Sequence, residues 1–115
     1  MERLINKKFV KPNITKSWLK NNGFQYSRVY SSDDEQVYYY RFPVYQYRTY
    51  VTLECEIRIT LNNGEVSIDI FDSDTKEKYT PFYFEEQEAY KYMVKIINNR
   101  VINTLNELGI VGINK

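Results

Sequence analysis

The sequence predicts an α+β fold, a four-stranded antiparallel meander with a short N-terminal helix and a long C-terminal helix packed on one face. Three observations predict it. Val51, Leu53, Cys55, Ile57, Ile59 and Leu61 alternate strictly with Thr52, Glu54, Glu56, Arg58 and Thr60, the pattern of a strand with one buried face. Asn63-Gly64 follows, a strong hairpin-turn signal, and Val66, Ile68 and Ile70 then resume the alternation. Residues 85–108 switch to helical spacing, with Ala89, Met93, Ile96, Ile97, Val101, Leu105 and Leu108 on one stripe.

Each element has its own justification. Residues 1–12 read as a basic arm ahead of a single domain spanning 13–115. Arg3, Lys7, Lys8 and Lys11 outnumber Glu2 there, and Pro12 closes the segment. Thr15 or Asn13 caps a short helix over residues 15–22, which offers Trp18 and Leu19 to the core. Gly23 stands where a left-handed residue ends a helix. Residues 24–32 read as a strand, Asp33-Asp34-Glu35 as a polar turn, and residues 36–42 as a second strand rich in Val and Tyr. Pro43 cannot donate to a ladder, so residues 43–48 are either a loop or a kinked continuation. A two-residue turn at Asn63-Gly64 sets Leu61 against Val66, Ile59 against Ile68 and Ile57 against Ile70, with Arg58 opposite Asp69 on the other face. Residues 72–78 form a loop and 79–84 a short extended stretch. Glu85, Glu86 and Glu88 then crowd the positive end of the long helix, as its dipole favours. That helix would run about 36 Å at 1.5 Å per residue, and Gly109 ends it. The core expected from this pattern is Trp18, Leu19, Leu53, Cys55, Ile57, Ile59, Val66, Ile68, Ile70, Met93, Ile97, Val101 and Leu105.

Composition removes several function classes. The 115 residues, 43% hydrophobic and 27% charged, are enough for one core and too apolar for a wholly disordered chain. No apolar run approaches the roughly 20 residues of a membrane span, and no apolar stretch follows the basic residues at the start. One cysteine excludes an internal disulfide framework, and the absence of histidine excludes His-based triads and His-ligated zinc. The expectation is a cytoplasmic, non-enzymatic protein with no cofactor, no metal and no membrane partner. Phe, Tyr, Met, Ile, Asn and Lys number 52, whereas Gly, Ala, Arg and Pro number 14. The first group has AT-rich codons, which points to an AT-rich bacterium, phage or mobile element and discounts part of the tyrosine excess.

Several constellations have chemistry to weigh. Glu54, Glu56 and Asp69 fall on one side of the expected hairpin, where clustered carboxylates hold Mg²⁺ in some nucleases. The segment Glu56-Ile57-Arg58 resembles the Glu-x-Lys strand of restriction-endonuclease-type cores, with Arg in place of Lys, and a metal-dependent nuclease is the remote reading this implies. Cross-strand charge pairing on a solvated face explains the same residues. Asp72-Ser73-Asp74-Thr75-Lys76 opens like a calcium loop, but Lys76 and Glu77 break the pattern, leaving a turn held by Asp side chains. Asn13-Ile14-Thr15 matches a glycosylation sequon without a secretion signal to give it meaning. Cys55 lies in the buried register, which favours an inert thiol.

The aromatic and basic residues between 26 and 50 carry the main functional expectation. Tyr26, Arg28, Tyr30, Tyr39, Arg41, Tyr45, Tyr47 and Arg48 are interleaved there. A tight turn at Asp33-Asp34 would put Tyr26, Arg28, Tyr30, Val37, Tyr39 and Arg41 on one sheet face. Tyr and Arg are favoured anchors at protein interfaces, so a protein partner, or a second copy of the chain, is the first expectation. Nucleic acid is the alternative. Rings and guanidinium groups also stack bases and pair phosphates, and residues 1–50 carry nine basic against four acidic side chains.

Overall fold

The computed structural model describes residues 4, 7–47, 51–83 and 88–113. In chain order its elements are β1 (Lys8–Val10), α1 (Lys16–Asn21), β2 (Gln25–Tyr26), β3 (Val37–Tyr47), β4 (Val51–Thr60), β5 (Glu65–Asp72) and α2 (Thr80–Tyr83). A 3₁₀ turn (Glu88–Tyr90), α3 (Lys91–Glu107) and β6 (Val111–Ile113) follow. The described strands form one sheet in the order β2-β3-β4-β5-β1-β6, every neighbouring pair antiparallel.

The class is the one the alternation predicts, α+β with an antiparallel sheet and a C-terminal helix, and β2 to β5 lie side by side in sequence order. The four-stranded boundary is corrected to six strands. Lys8–Val10, read as part of a basic arm, is a strand between β5 and β6: Phe9 pairs with Val66 on one side and Gly112 on the other. Three-residue strands carry no period of their own, and these two exist through partners more than forty residues apart in sequence.

Two further corrections concern the first strand and the hairpin. The strand expected over 24–32 shrinks to Gln25–Tyr26, because the serines that follow bond locally and compete with the ladder. Ser27 Oγ accepts from Tyr30 N at 3.1 Å, Ser31 Oγ accepts from Val37 N at 2.9 Å, and Ser32 Oγ accepts from Glu35 N at 3.2 Å. The β4–β5 register is displaced by two residues: Ile59 faces Val66, Ile57 faces Ile68 and Cys55 faces Ile70. The connection is a four-residue loop, 61–64, in which Gly64 alone takes a positive φ of 74° and its N–H donates to Thr60 O at 2.8 Å. A slip of two preserves which face each side chain occupies, so the hydrophobic alternation cannot tell the two registers apart.

The first helix fits its sequence signals. Thr15 Oγ1 accepts from Trp18 N at 3.1 Å as the N-cap, and Gly23 closes the segment at φ 83°. The long helix is shorter than expected, 17 residues or about 26 Å at 1.5 Å per residue. Glu88–Tyr90 tightens into the 3₁₀ turn before it, while Glu85 and Glu86 lie outside the described residues. Where an extended stretch is expected after residue 79, Thr80–Tyr83 coils into α2 against the outer edge of β5. Tyr79 N donates to Ile70 O there, and Phe71 bridges to Lys78.

The core lies between one sheet face and the helices. Leu53, Cys55, Ile57, Ile59 and Ile70 meet Leu19, Ile97, Val101 and Leu105 in one buried cluster. Each fully buried aliphatic contributes about 1.5–3 kcal/mol relative to exposure. Trp18, Val66, Ile68 and Met93, expected inside, are only partly buried. Leu4, Phe24, Tyr38, Val44, Phe82 and Ile110 join the cluster instead. Val44 enters through a bulge between Pro43 and Tyr45, so the stretch after Pro43 is a continued strand rather than a loop. Among the described residues no helix is long and apolar enough to cross a membrane.

Candidate functional site

With α1 and α3 on one side, the sheet's second face is built from the polar half of the alternation. Pairing fixes which side chains reach it: Tyr39 lies opposite Arg58, Arg41 opposite Glu56, and Glu56 opposite Asp69. These strands carry a continuous ionic ladder. Arg41 Nε donates to Glu56 Oε1 at 2.8 Å, and Arg58 Nη1 donates to Glu56 Oε2 at 2.6 Å and meets Asp69 Oδ2 at 2.5 Å. Glu56 is only 7% exposed, and guanidinium groups engage both of its oxygens. Burial opposes the charge on Arg58, but hydrogen bonds to Glu56 and Asp69 more than offset it, so its pKa stands above the ordinary arginine value.

Aromatic rings bracket the cations. The Arg58 guanidinium sits 4.3 Å from the Tyr30 ring centroid, and Arg41 lies 5.0 Å from Tyr39 and 5.7 Å from Phe71. Lys76 approaches Phe71 at 5.7 Å, and Lys78 approaches Tyr83 at 5.1 Å. Tyr83 fastens α2 to this ladder: its hydroxyl donates to Asp69 Oδ1 at 2.9 Å and accepts from Ile70 N at 2.8 Å. Burial, then the Asp69 charge, pushes the Tyr83 hydroxyl well above its ordinary value. Cys55 is fully buried on the opposite face, and burial first, then Asp69 and Glu56, raises its thiol strongly, as an inert core cysteine requires.

The expected site residues separate. Tyr30, Tyr39 and Arg41 meet on the second face. Tyr26 is corrected to the helix side, because it pairs with Tyr38 and contacts that ring edge-on at 5.5 Å. The tight turn that would have aligned it with Tyr39 is replaced by the serine-rich loop. Arg28 is exposed within that loop. Tyr45, opposite Leu53, faces the helix side and is half-buried. The Tyr47 side chain and Arg48 lie outside the described residues.

Sequence reasoning missed Phe71, Lys76, Lys78 and Tyr83. Parity alone could have placed Phe71, since it follows Ile70 and so faces the other way. Nothing local signals the other three, whose positions depend on the turn after β5 and on α2. In that turn Asp72 Oδ1 accepts from Asp74 N at 2.8 Å and Thr75 N at 3.1 Å, the arrangement of an Asp-stabilised loop.

The carboxylates considered for metal chemistry are committed elsewhere. Arg58 holds both Glu56 and Asp69, and Glu54 lies between Pro43 and Phe71 in the register. Among the described residues no group of three or more Cys, Asp or Glu side chains is placed to hold a metal ion. The surface as built has half-exposed rings and one half-exposed guanidinium over a neutralised ionic floor, which suits reversible contact with another macromolecule. Protein-family models, curated proteins and solved structures offer no match to this chain.

Proposed function

We propose that this chain is a small non-enzymatic binding module that contacts a protein partner, or a second copy of itself, through the sheet face bearing Tyr30, Tyr39 and Arg41. One observation carries the reading: α1 and α3 pack on the opposite side, and α2 reaches this one only through Tyr83, while Tyr30 (53% exposed) and the Arg41 side chain (46% exposed) stand open on it. Their neighbours Glu56, Arg58 and Asp69 hold the floor in a fixed arrangement, so little further ordering is needed on binding. Tyr and Arg over such a floor are the residue types that dominate interface energetics. The AT-rich composition supports an accessory role in a bacterium, phage or mobile element.

The test compares the chain with its Tyr30→Ala/Arg41→Ala variant. Self-association is followed by sedimentation velocity, and partners are captured from the native host. Association weakened about tenfold or more, with unchanged circular dichroism, is the expected result, since an anchoring pair is worth about 1.4 kcal/mol or more. Association that ignores both substitutions overturns the reading. Oligonucleotide binding that falls steeply with salt and is lost in Arg41→Ala would replace it with nucleic-acid recognition on the same face.

A further inference from the structure

A second site lies away from this face, between α1 and the short edge strand β2. A groove of about 560 Å³ opens there, within the size range of small-molecule sites. Lys16 and Lys20 form one side. They stand one helical turn apart, where like charges repel, and the first turn of α1 holds no acidic residue. Among the described residues neither lysine has a carboxylate within ion-pair distance, and no acidic side chain lines the groove. A bound anion would relieve that repulsion.

Tyr38 supplies an independent observation. It lines the groove while only 2% exposed, and its hydroxyl has no hydrogen-bond partner among the described residues. Among the described residues the buried side-chain atom that makes no hydrogen bond is Asn98 Oδ1, so the Tyr38 hydroxyl is not sealed from water, and an oxyanion in the groove would take the water's place as acceptor of its proton. Tyr26 stands beside it with 48% of its surface exposed. The edge-on contact with Tyr38, at 78° between the rings, leaves part of the Tyr26 ring open for stacking. Gln36 brings a side-chain amide to the same groove, whereas the Gln25 amide turns to the other face, where its Oε1 accepts from the Tyr39 hydroxyl.

We propose that this groove binds a nucleotide, its phosphate held by Lys16, Lys20 and the Tyr38 hydroxyl and its base stacked on Tyr26 beside the Gln36 amide. An acidic peptide would use the lysines but leave the exposed ring and the Gln36 amide without a planar, hydrogen-bonding partner. The same chemistry arrives either as a free nucleoside monophosphate or as one unit of a single strand, whose bases are open to stacking.

Calorimetric titration with AMP, UMP, inorganic phosphate, a short single-stranded oligonucleotide and a glutamate-rich peptide tests the proposal. AMP or UMP should bind at least about tenfold more tightly than inorganic phosphate, because only they engage Tyr26. Lys16→Ala/Lys20→Ala should weaken nucleotide binding about tenfold or more; alanine favours the helix, so folding is retained. Tyr38→Phe should weaken it several-fold without lowering Tm, since its hydroxyl has no native partner to lose. An oligonucleotide that binds more tightly than the mononucleotides identifies a strand as the source, and equal affinity identifies the free nucleotide. No nucleotide binding at millimolar concentration, affinity untouched by both variants, or preference for the peptide overturns the proposal.

Discussion

Glu56 is held by two arginines of different burial, and the difference separates their contributions to stability. The Arg58 side chain is 14% exposed and serves both Glu56 (9%) and Asp69 (20%), whose strands place them directly opposite each other. Removing Arg58 leaves two facing carboxylates short of water and without their shared counter-charge. Arg58→Met is therefore expected to destabilise the fold by about 3–5 kcal/mol. Arg41 touches the same Glu56, but from a half-exposed position where water already solvates it, so Arg41→Ala should cost less than about 1 kcal/mol. Urea denaturation of the two variants checks the contrast, and equal losses would mean that burial does not govern the ladder. Part of this was legible: Arg58 and Asp69 share a face in either register. The double pairing of Glu56 was not, because it depends on Glu56 facing Asp69, which requires the register the four-residue loop imposes.

At the scale of elements, the hairpin shows where local signals succeed and where they give out. Alternation identified β4 and β5 and assigned their faces. Asn63-Gly64 located the turn but suggested a two-residue loop. The longer loop is tied to β1: Lys11 N donates to Gly64 O at 2.9 Å, and the Lys11 carbonyl lies directly against the Gly64 α-carbon hydrogens. Two glycines with positive φ then separate in their sensitivity. At Gly23 an added Cβ would meet the Tyr40 ring at an ordinary 3.5 Å, so Gly23→Ala should cost only the left-handed backbone penalty, about 1–2 kcal/mol. At Gly64 the same Cβ would collide with the Lys11 carbonyl oxygen, and backbone cannot rotate aside as a side chain can. Gly64→Ala should exceed Gly23→Ala by about 1 kcal/mol or more, as overpacking does in a closed site, and should loosen β1 with it. Denaturation midpoints and amide exchange at Phe9 and Val10 measure both effects; equal midpoints would dissociate the loop from β1. β1 and β6 themselves had no local signal, since neither Lys-Phe-Val nor Val-Gly-Ile alternates long enough to declare a face.

For the whole molecule, part of the charge imbalance along the chain cancels in space, while Lys16 and Lys20 keep theirs. The basic first half and the acidic second half interleave as neighbouring strands, so Arg41 of β3 lands on Glu56 of β4. The tyrosine-rich segment was legible as a candidate surface, but its residues divide between faces because the loop after β2 follows serine hydrogen bonds that strand periodicity does not encode. The sheet thereby separates a dry helix-covered face, with Cys55 inside, from the charged face that Tyr83 helps to close. Both groups keep their protons in the folded chain because burial, reinforced by the Asp69 charge, disfavours their anions. In the unfolded chain they ionise at their ordinary values, 9.0 for the thiol and 10.0 for the phenol. The unfolded state therefore loses protons first as pH rises, and unfolding becomes progressively easier. Stability from this source is complete below pH 9.0, begins to fall as the unfolded thiol ionises, and falls more steeply once the phenol follows. The thiol alone contributes a slope of at most about 1.4 kcal/mol per pH unit in that window. Cys55→Ala should flatten the first part of the decline and Tyr83→Phe the second, even though each variant starts from lower stability at neutral pH. Urea midpoints at neutral pH and about pH 10 give the comparison, since both unfolded groups have begun to ionise by then. A midpoint unchanged across that range would show that neither proton is held by the fold.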